Sequence, residues 1–362
     1  MTSTPPVTRP TPARRHVVRR ASTTSWLGST GFAVILIVLA LVPVLFVPNV
    51  IQQMTSLLIL VILAVTWNAL AGYGGLVSVG QQAYIGFGAY GVIFLTQHGV
   101  TPYLAMVLSP LACGVLALLV SPLVLSLRGG QFAIGTWVVA EALALLVVLD
   151  SSLGGGTGVS LRGLNIYTAT ERRQYTYWMA LTAVVVLLAV ILLLLRRRTG
   201  AALQAIRDDE TAAASLGVRV RPLKLLLFVV AGVGAGAAGA LTLANTLFIQ
   251  PGSIFGVQYT AFMIFMVLVG GLGTFEGPIL GAVVFFALQY FFADSGAWYL
   301  IGLGLVAMAF ALFVPRGLWS IIADHLPGPL LPVGYRLHEV DGDGHRPSDP
   351  SLDLPGVSTT GS

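Results

Sequence analysis

Cysteine and lysine each occur once in this 362-residue chain, as Cys113 and Lys224. A lone cysteine excludes an intrachain disulfide and any cysteine-based metal cluster. A lone lysine, followed by Leu225, excludes a Gly-Lys-Ser/Thr phosphate-binding loop, so ATP is not hydrolysed here by that machinery. Charge of either sign is scarce. Asp, Glu, Lys and Arg make up 9% of the residues, against roughly 25% in a soluble domain. No Ser-His-Asp set, paired carboxylates or His-rich motif stands out, which leaves no catalytic residue, no metal site and no cofactor to assign to the chain. What is abundant is apolar: 56% of the residues are hydrophobic and 42 are glycine. Such a chain is an all-α, polytopic integral membrane protein, because helices satisfy their own backbone in lipid.

Ten apolar stretches stand at about 31–48, 54–72, 83–97, 102–127, 132–150, 176–195, 224–247, 259–274, 278–293 and 297–314. A span needs about 20 residues; the third, eighth and ninth are short and Gly-rich, as broken helices lining a cavity are. With the N-terminus inside, all but three of the 19 Lys and Arg residues are cytoplasmic; Arg162, Arg172 and Arg173 lie outside. That bias favours N-in, C-in and an even number of spans, and it ties the basic charge to membrane orientation rather than to nucleic acid. The spans and their loops occupy 31–322. A basic arm (1–30) and a tail (323–362), both rich in Pro and polar residues, are expected to be disordered. The tail's His338, Glu339, Asp341, Asp343 and His345 lack the spacing of a calcium loop.

The longest charged island between two spans is 196–224, RRRTGAALQAIRDDETAAASLGVRVRPLK. Ala201 to Ile206 is helix-forming. Asp208, Asp209 and Glu210 stand at the start of a short Ala-rich helix over Thr211–Leu216, where carboxylates complement the helix dipole. Gly217 sits where a helix calls for a left-handed residue, and Pro222 bars simple continuation. Two short helices tied at both ends to spans suit docking on a soluble partner. A solvated loop whose cations only set topology has the same composition.

Two Gly-rich stretches qualify as path candidates. Trp67 to Tyr90 holds Gly72, Gly74, Gly75, Gly80, Gly86 and Gly88 together with Ser78, Gln81 and Gln82. Amides facing lipid are costly, so they are expected to face protein or water. A broken helix beside a translocation path and tight helix packing both explain the glycines. Val267 to Ala282 repeats the theme: Gly270-Gly271-Leu272 echoes Gly74-Gly75-Leu76, a hint of duplicated halves. Glu141, in TWVVAEALALL, is the one carboxylate well inside a span. It is a candidate proton carrier, substrate contact or packing group. The Asp150–Tyr175 loop is the largest external element, either flexible or a surface for an external partner.

Taken together and in order, several segments resemble the branched-chain amino-acid ABC transporter permease family of the LivM type. They are GYGGLVSVGQ from Gly72 with GFGAY from Gly86, RGGQFA from Arg128, IRDDE from Ile206 through Ala212-Ala213 to Leu216-Gly217, GGLG from Gly270 with Gly277-Pro278, and PRGLW from Pro315. The similarity covers about Leu57 to Ile322. It implies a subunit of an ATP-driven importer in a bacterial inner membrane. Glu210, Ala212, Ala213 and Gly217 match the family's coupling loop, which docks on an ATPase subunit. The implied partners are a second related permease, two ATP-binding cassette subunits that hold ATP and Mg, and an external substrate-binding protein. Gly130 and Gln131 depart from the family's usual acidic and aromatic residues, and urea and short-chain amide permeases share the architecture. A proton-coupled secondary transporter using Glu141 and a non-transporting scaffold are the rival readings.

Overall fold

The structure is a computed structural model, and it describes residues 15–19, 23–164, 166–292, 296–314, 316–325 and 336–340. The helices are α1 (Thr23–Leu45), α2 (Pro48–Asn68), α3 (Gln82–Gln97), α4 (Pro102–Val124), α5 (Gly130–Leu149), α6 (Ala169–Arg196), α7 (Arg198–Asp208), α8 (Glu210–Ser215), α9 (Val220–Thr246), α10 (Pro251–Ile254), α11 (Gln258–Gly270), α12 (Gly277–Phe292), α13 (Ala297–Phe313) and α14 (Gly317–Asp324). Proline opens α2, α4 and α10, where its missing N–H costs nothing. Thr168 and Glu171 close a capping box at the start of α6.

Each of the ten apolar stretches contains a helix. Six units are long and apolar enough to cross a membrane: Pro48–Tyr73, Pro102–Val124, Gly130–Leu149, Ala169–Arg196, Val220–Thr246 and Pro251–Gly270. A seventh is reached if α13 and α14, bent by 47°, count as one. The expected ten is therefore not matched by length alone. Two of the short helices have a visible cause: α3 and α12 are 16 residues each, because glycine-rich breaks stand where their first turns would be. α2 ends in a π-helical turn, Ala69–Tyr73, the chain runs irregularly from Leu76 to Gly80, and α3 then starts at Gln82.

Residues 31–327 form one compact unit. Helix α9 is its centre, packed against α2, α3, α4 and α6. Its AGVGAGAAGA stretch makes this possible by bringing backbones together. A Cβ on Gly239 would collide with the Ile85 carbonyl of α3, and one on Gly88 with the Gly236 carbonyl of α9. Close approach without side chains is how membrane helices gain packing when lipid offers no hydrophobic drive.

The unit has two distinct ends. At one, Gly72, Arg207 and Gly273 lie among one another's neighbours, and Gly317 comes up against Gly271. At the other, β2 (Val159–Ser160) pairs antiparallel with β3 (Phe248–Ile249). The long loop there is folded rather than free. Asp150 Oδ1 accepts from Ser152 N (2.8 Å) and Ser152 Oγ (2.6 Å), bonds that hold its carboxyl below the usual range, and Gln97 Nε2 donates to the Ser152 carbonyl at 2.8 Å. A crevice of about 790 Å³ beside it is lined by Gln97, Ser152, Arg162 and Phe248 among others.

The second unit comprises residues 1–30 and 328–362. Where irregular arms are expected, β1 (Arg15–Arg19) pairs antiparallel with β4 (Arg336–Val340), Arg15 opposite Val340 and Arg19 opposite Arg336. The tail's Asp341, Asp343 and His345 lie outside the described residues.

The packing around α9 makes a direct forecast. Gly239→Val forces backbone apart and should cost about 1–3 kcal/mol or more, read as a lower unfolding midpoint in detergent. Gly302→Ala, where an added Cβ meets nothing within 4 Å, should leave that midpoint unchanged.

Candidate functional site

The polar island folds as a hairpin of two short helices. Its entry is tight: a Cβ on Gly200 would collide with the Leu195 carbonyl at the α6–α7 corner. α7 buries Leu203 and Ile206 and packs on α6, α8, α9 and the π-turn after α2. Asp209 caps α8, its Oδ1 accepting from Thr211 N (2.8 Å) and Ala212 N (3.0 Å). The helix starts at Glu210, one residue earlier than expected, since Asp209 takes the cap. Gly217 has φ +84, with Gly217 N donating to Ala214 O and Val218 N to Ala213 O. That left-handed close is why glycine stands there; its side-chain position is open space.

Glu210 does more than complement a dipole. Lys224 Nζ lies 2.6 Å from Glu210 Oε2, tying α8 to the first turns of α9. Ala213 is buried, whereas Thr211, Ala212, Ala214, Ser215 and Gly217 are exposed. Leu216 is 83% exposed, a large apolar side chain at the tip of a small-residue face.

Arg207, not singled out from sequence as a site residue, fastens this hairpin to the bundle. Its Nη1 donates to the Gly72 carbonyl at 3.0 Å, and its Nε and Nη2 each reach Asp208 Oδ1 at 3.3 Å. The backbone of Arg207 runs past Gly75, where an added Cβ would lie 3.4 Å from the Arg207 Cα, and one on Gly273 would lie 2.6 Å from Arg207 Nη1. Both glycine-rich breaks therefore converge on one arginine.

Asn68 clasps the two breaks to each other. Its Nδ2 donates to the Thr274 carbonyl at 2.9 Å, and its Oδ1 accepts from Gly273 N at 2.8 Å. Tyr73 Oη donates to the same Thr274 carbonyl at 3.0 Å. Thr274 Oγ1 in turn donates to Gly271 O (2.7 Å) and accepts from Gly277 N (3.1 Å), starting α12. Gly75 (φ +65), Gly271 (φ +132) and Gly273 (φ +75) hold the turns, conformations that side chains resist. The echo between Gly74-Gly75-Leu76 and Gly270-Gly271-Leu272 thus has a spatial counterpart. Glu276 lies nearby, and burial raises its carboxyl pKa. Asn68 carried a sequence signal, a lone amide inside an apolar run. Thr274 and Tyr73 carried none.

The other path candidates are enclosed. Gly74 packs against Leu227 of α9, and an added Cβ on Gly270 would collide with the Gly277 carbonyl. Ser78, Gln81 and Gln82 are fully buried. The Ser78 carbonyl accepts from Trp67 Nε1 at 2.9 Å, and Gln82 Oε1 accepts from Thr260 Oγ1 at 2.5 Å. Gln81 Oε1 and Gln82 Nε2 are buried without a partner among the described residues. These amides face protein, as their cost in lipid requires. Glu141 stands apart from all of them, on the outward face of α5, where its Oε1 accepts from Trp137 Nε1 at 3.0 Å.

Similarity to known proteins gives the family of the chain. The family described as "Branched-chain amino acid transport system / permease component" matches residues 49–311. The high-affinity branched-chain amino acid transport system permease protein LivM of Escherichia coli (strain K12) is 29% identical over 323 residues, 82% of this chain and 76% of that protein. Its counterpart from Salmonella typhimurium is 29% identical over 299 residues, 75% of this chain and 70% of that one. Among solved structures, an inward-facing metal-chelate type ABC transporter aligns at TM-score 0.44 and 17% identity over 83% of this chain and 100% of that one, a distant likeness. With most of its length matched, the chain belongs to the family of branched-chain amino acid transport system permease components.

Proposed function

We propose that this chain is one permease subunit of an ATP-driven importer that carries branched-chain amino acids across a bacterial inner membrane. Its partners are a second, related permease, two ATP-binding cassette subunits holding ATP and Mg, and an external substrate-binding protein. The N- and C-termini face the cytoplasm, and the α7–α8 hairpin docks on one ATPase subunit. The observation that carries this reading is the fastening of the hairpin. It is rooted in α6 and α9, pinned to α9 by Glu210–Lys224, and joined through Arg207 to the break after α2.

The mechanism follows from those attachments. ATP-driven closure of the ATPase pair displaces the hairpin. Arg207 and Asn68 make the hairpin and both breaks one mechanical piece, so the displacement reaches α2, α11 and α12 as well as α6 and α9. Packed helices then shift as rigid bodies, and the path switches from one side to the other. Substrate choice rests largely with the binding protein, which fits a chain poor in charged groups. A secondary transporter needs no such hairpin.

Four substitutions test this. Leu216→Asp removes the exposed apolar tip and should lower ATPase copurification in mild detergent at least about tenfold, roughly 1.4 kcal/mol of binding; full recovery contradicts hairpin docking. Gly217→Val strains the left-handed close by about 1–3 kcal/mol and, like Glu210→Lys, should abolish leucine uptake with the protein still inserted. Arg207→Ala should leave ATPase copurification intact and cut uptake per ATP hydrolysed. Normal stoichiometry in that variant means the hairpin acts without the joint. Uptake of urea instead of leucine by the wild-type complex would replace the substrate assignment and keep the coupling one.

A further inference from the structure

The six long spans differ in how much of themselves they bury. In α2 with its π-turn, 83% of the apolar stretch is buried within the chain; in α5 the share is 22%, the lowest of the six. α4 is also partly bare, and its outward residues are Leu104, Val107, Leu111, Val115, Leu118 and Leu119. That face is suited to lipid. α5 differs by one residue. Its exposed side carries Ile134, Trp137, Val138 and Leu145 around the carboxylate of Glu141.

Glu141 is the only charged residue away from the ends of those six spans. It follows Gly130 by 11 residues and precedes Leu149 by 8, so about 16 Å and about 12 Å of helix separate it from the ends. A mid-span acid against lipid costs about 2.5–3.5 kcal/mol on insertion scales, and such residues face protein or water-filled paths. The Trp137 indole supplies one hydrogen bond and no counter-charge. Among the described residues, no other side chain bonds to the group, and its residue is exposed. On the inner side of the same helix, Thr136 Oγ1 accepts from Val79 N at 3.2 Å, so α5 stands between the irregular 76–80 segment and whatever lies beyond its outer face.

We infer that the outward face of α5 lines an aqueous seam against the second permease, and that Glu141 there receives the ammonium group of the passing amino acid. The inference rests on the importer reading above and names the substrate contact within it. The chemistry of the face fits a zwitterion with a branched apolar side chain. Glu141 offers the single negative charge, Trp137 an aromatic surface that also attracts cations, and Ile134, Val138 and Leu145 an apolar wall. Urea and neutral amides, having no cation, gain nothing from the carboxylate.

Two readouts on the complete transporter in proteoliposomes test it. In the first, Glu141→Gln should assemble with all partners and take up leucine at least about tenfold more slowly, about 1.4 kcal/mol, while Glu141→Asp, which keeps the charge, recovers most of the rate. Wild-type uptake by the glutamine variant overturns the contact. In the second, a cysteine at Ala142, in a Cys113→Ala background, should react with a membrane-impermeant thiol reagent and crosslink to the second permease. A thiol that reacts only with lipid-soluble reagents overturns the seam. If the wild-type complex moves no amino acid at all, the importer reading for this substrate class fails, and the thiol readout still decides whether Glu141 faces water.

Discussion

Arg207 donating to the Gly72 carbonyl, beside the paired bonds of the Asn68 amide to Gly273 and Thr274, holds together the hairpin and the two places where the chain leaves regular helix. A helix that stops at a buried position leaves peptide groups without partners, and away from water each one is expensive. Two such stops occur here, after Tyr73 and after Gly270. They are placed against one another so that one amide, one phenol and one guanidinium answer for both. The glycines follow from that placement. Gly72 and Gly273 must come within backbone contact, and Gly75, Gly271 and Gly273 must turn through positive φ. The hairpin is attached by the same arginine, so local satisfaction of the backbone and mechanical linkage are one set of bonds.

Much of this was legible in the sequence. The hairpin could be placed because its signals are local: acids at a helix start, an Ala-rich turn, glycine at the close. The shared Gly-Gly-Leu pattern pointed to two related breaks because positive φ leaves a mark in residue type. Burial of Ser78, Gln81 and Gln82 followed from the cost of amides in lipid. What could not be read were bonds between distant segments. Asn68 and Gly273 are 205 positions apart, Arg207 and Gly72 are 135 apart, and nothing in periodicity links them. Span counting suffered from the same cause, since breaks closed by distant side chains shorten helices without changing local hydropathy. α5 is apolar apart from Gln131 at its start, Thr136 and Glu141, so no periodicity marked its inward face.

The burial pattern divides the chain into a rigid part and an outward part. α9, threaded through glycine contacts with α2, α3 and α4, cannot shift far without separating backbones. α5 is held by a narrower set of contacts and leaves most of its surface to be covered. A permease that works as one of a pair needs both: a stiff half that transmits displacement from the hairpin, and a face that meets its partner and the solute between them. As one member of the proposed pair, the chain contributes one side of that arrangement, and its single mid-span charge stands on the face left open.

The central claim is that hairpin and breaks move as one piece. Its most direct measurement is the distance between spin labels at Leu216 and Leu272 in the assembled, cysteine-free complex, with and without bound ATP. Both side chains are exposed, and Cys113 is the only native thiol of this chain to remove. The Leu216–Leu272 distance should stay constant between the two states while the distance from Leu216 to a label at Gln131 at the start of α5 changes. A Leu216–Leu272 distance that shifts with nucleotide, against a fixed distance to Gln131, would mean that the Arg207 and Asn68 bonds are broken during the cycle and do not carry it.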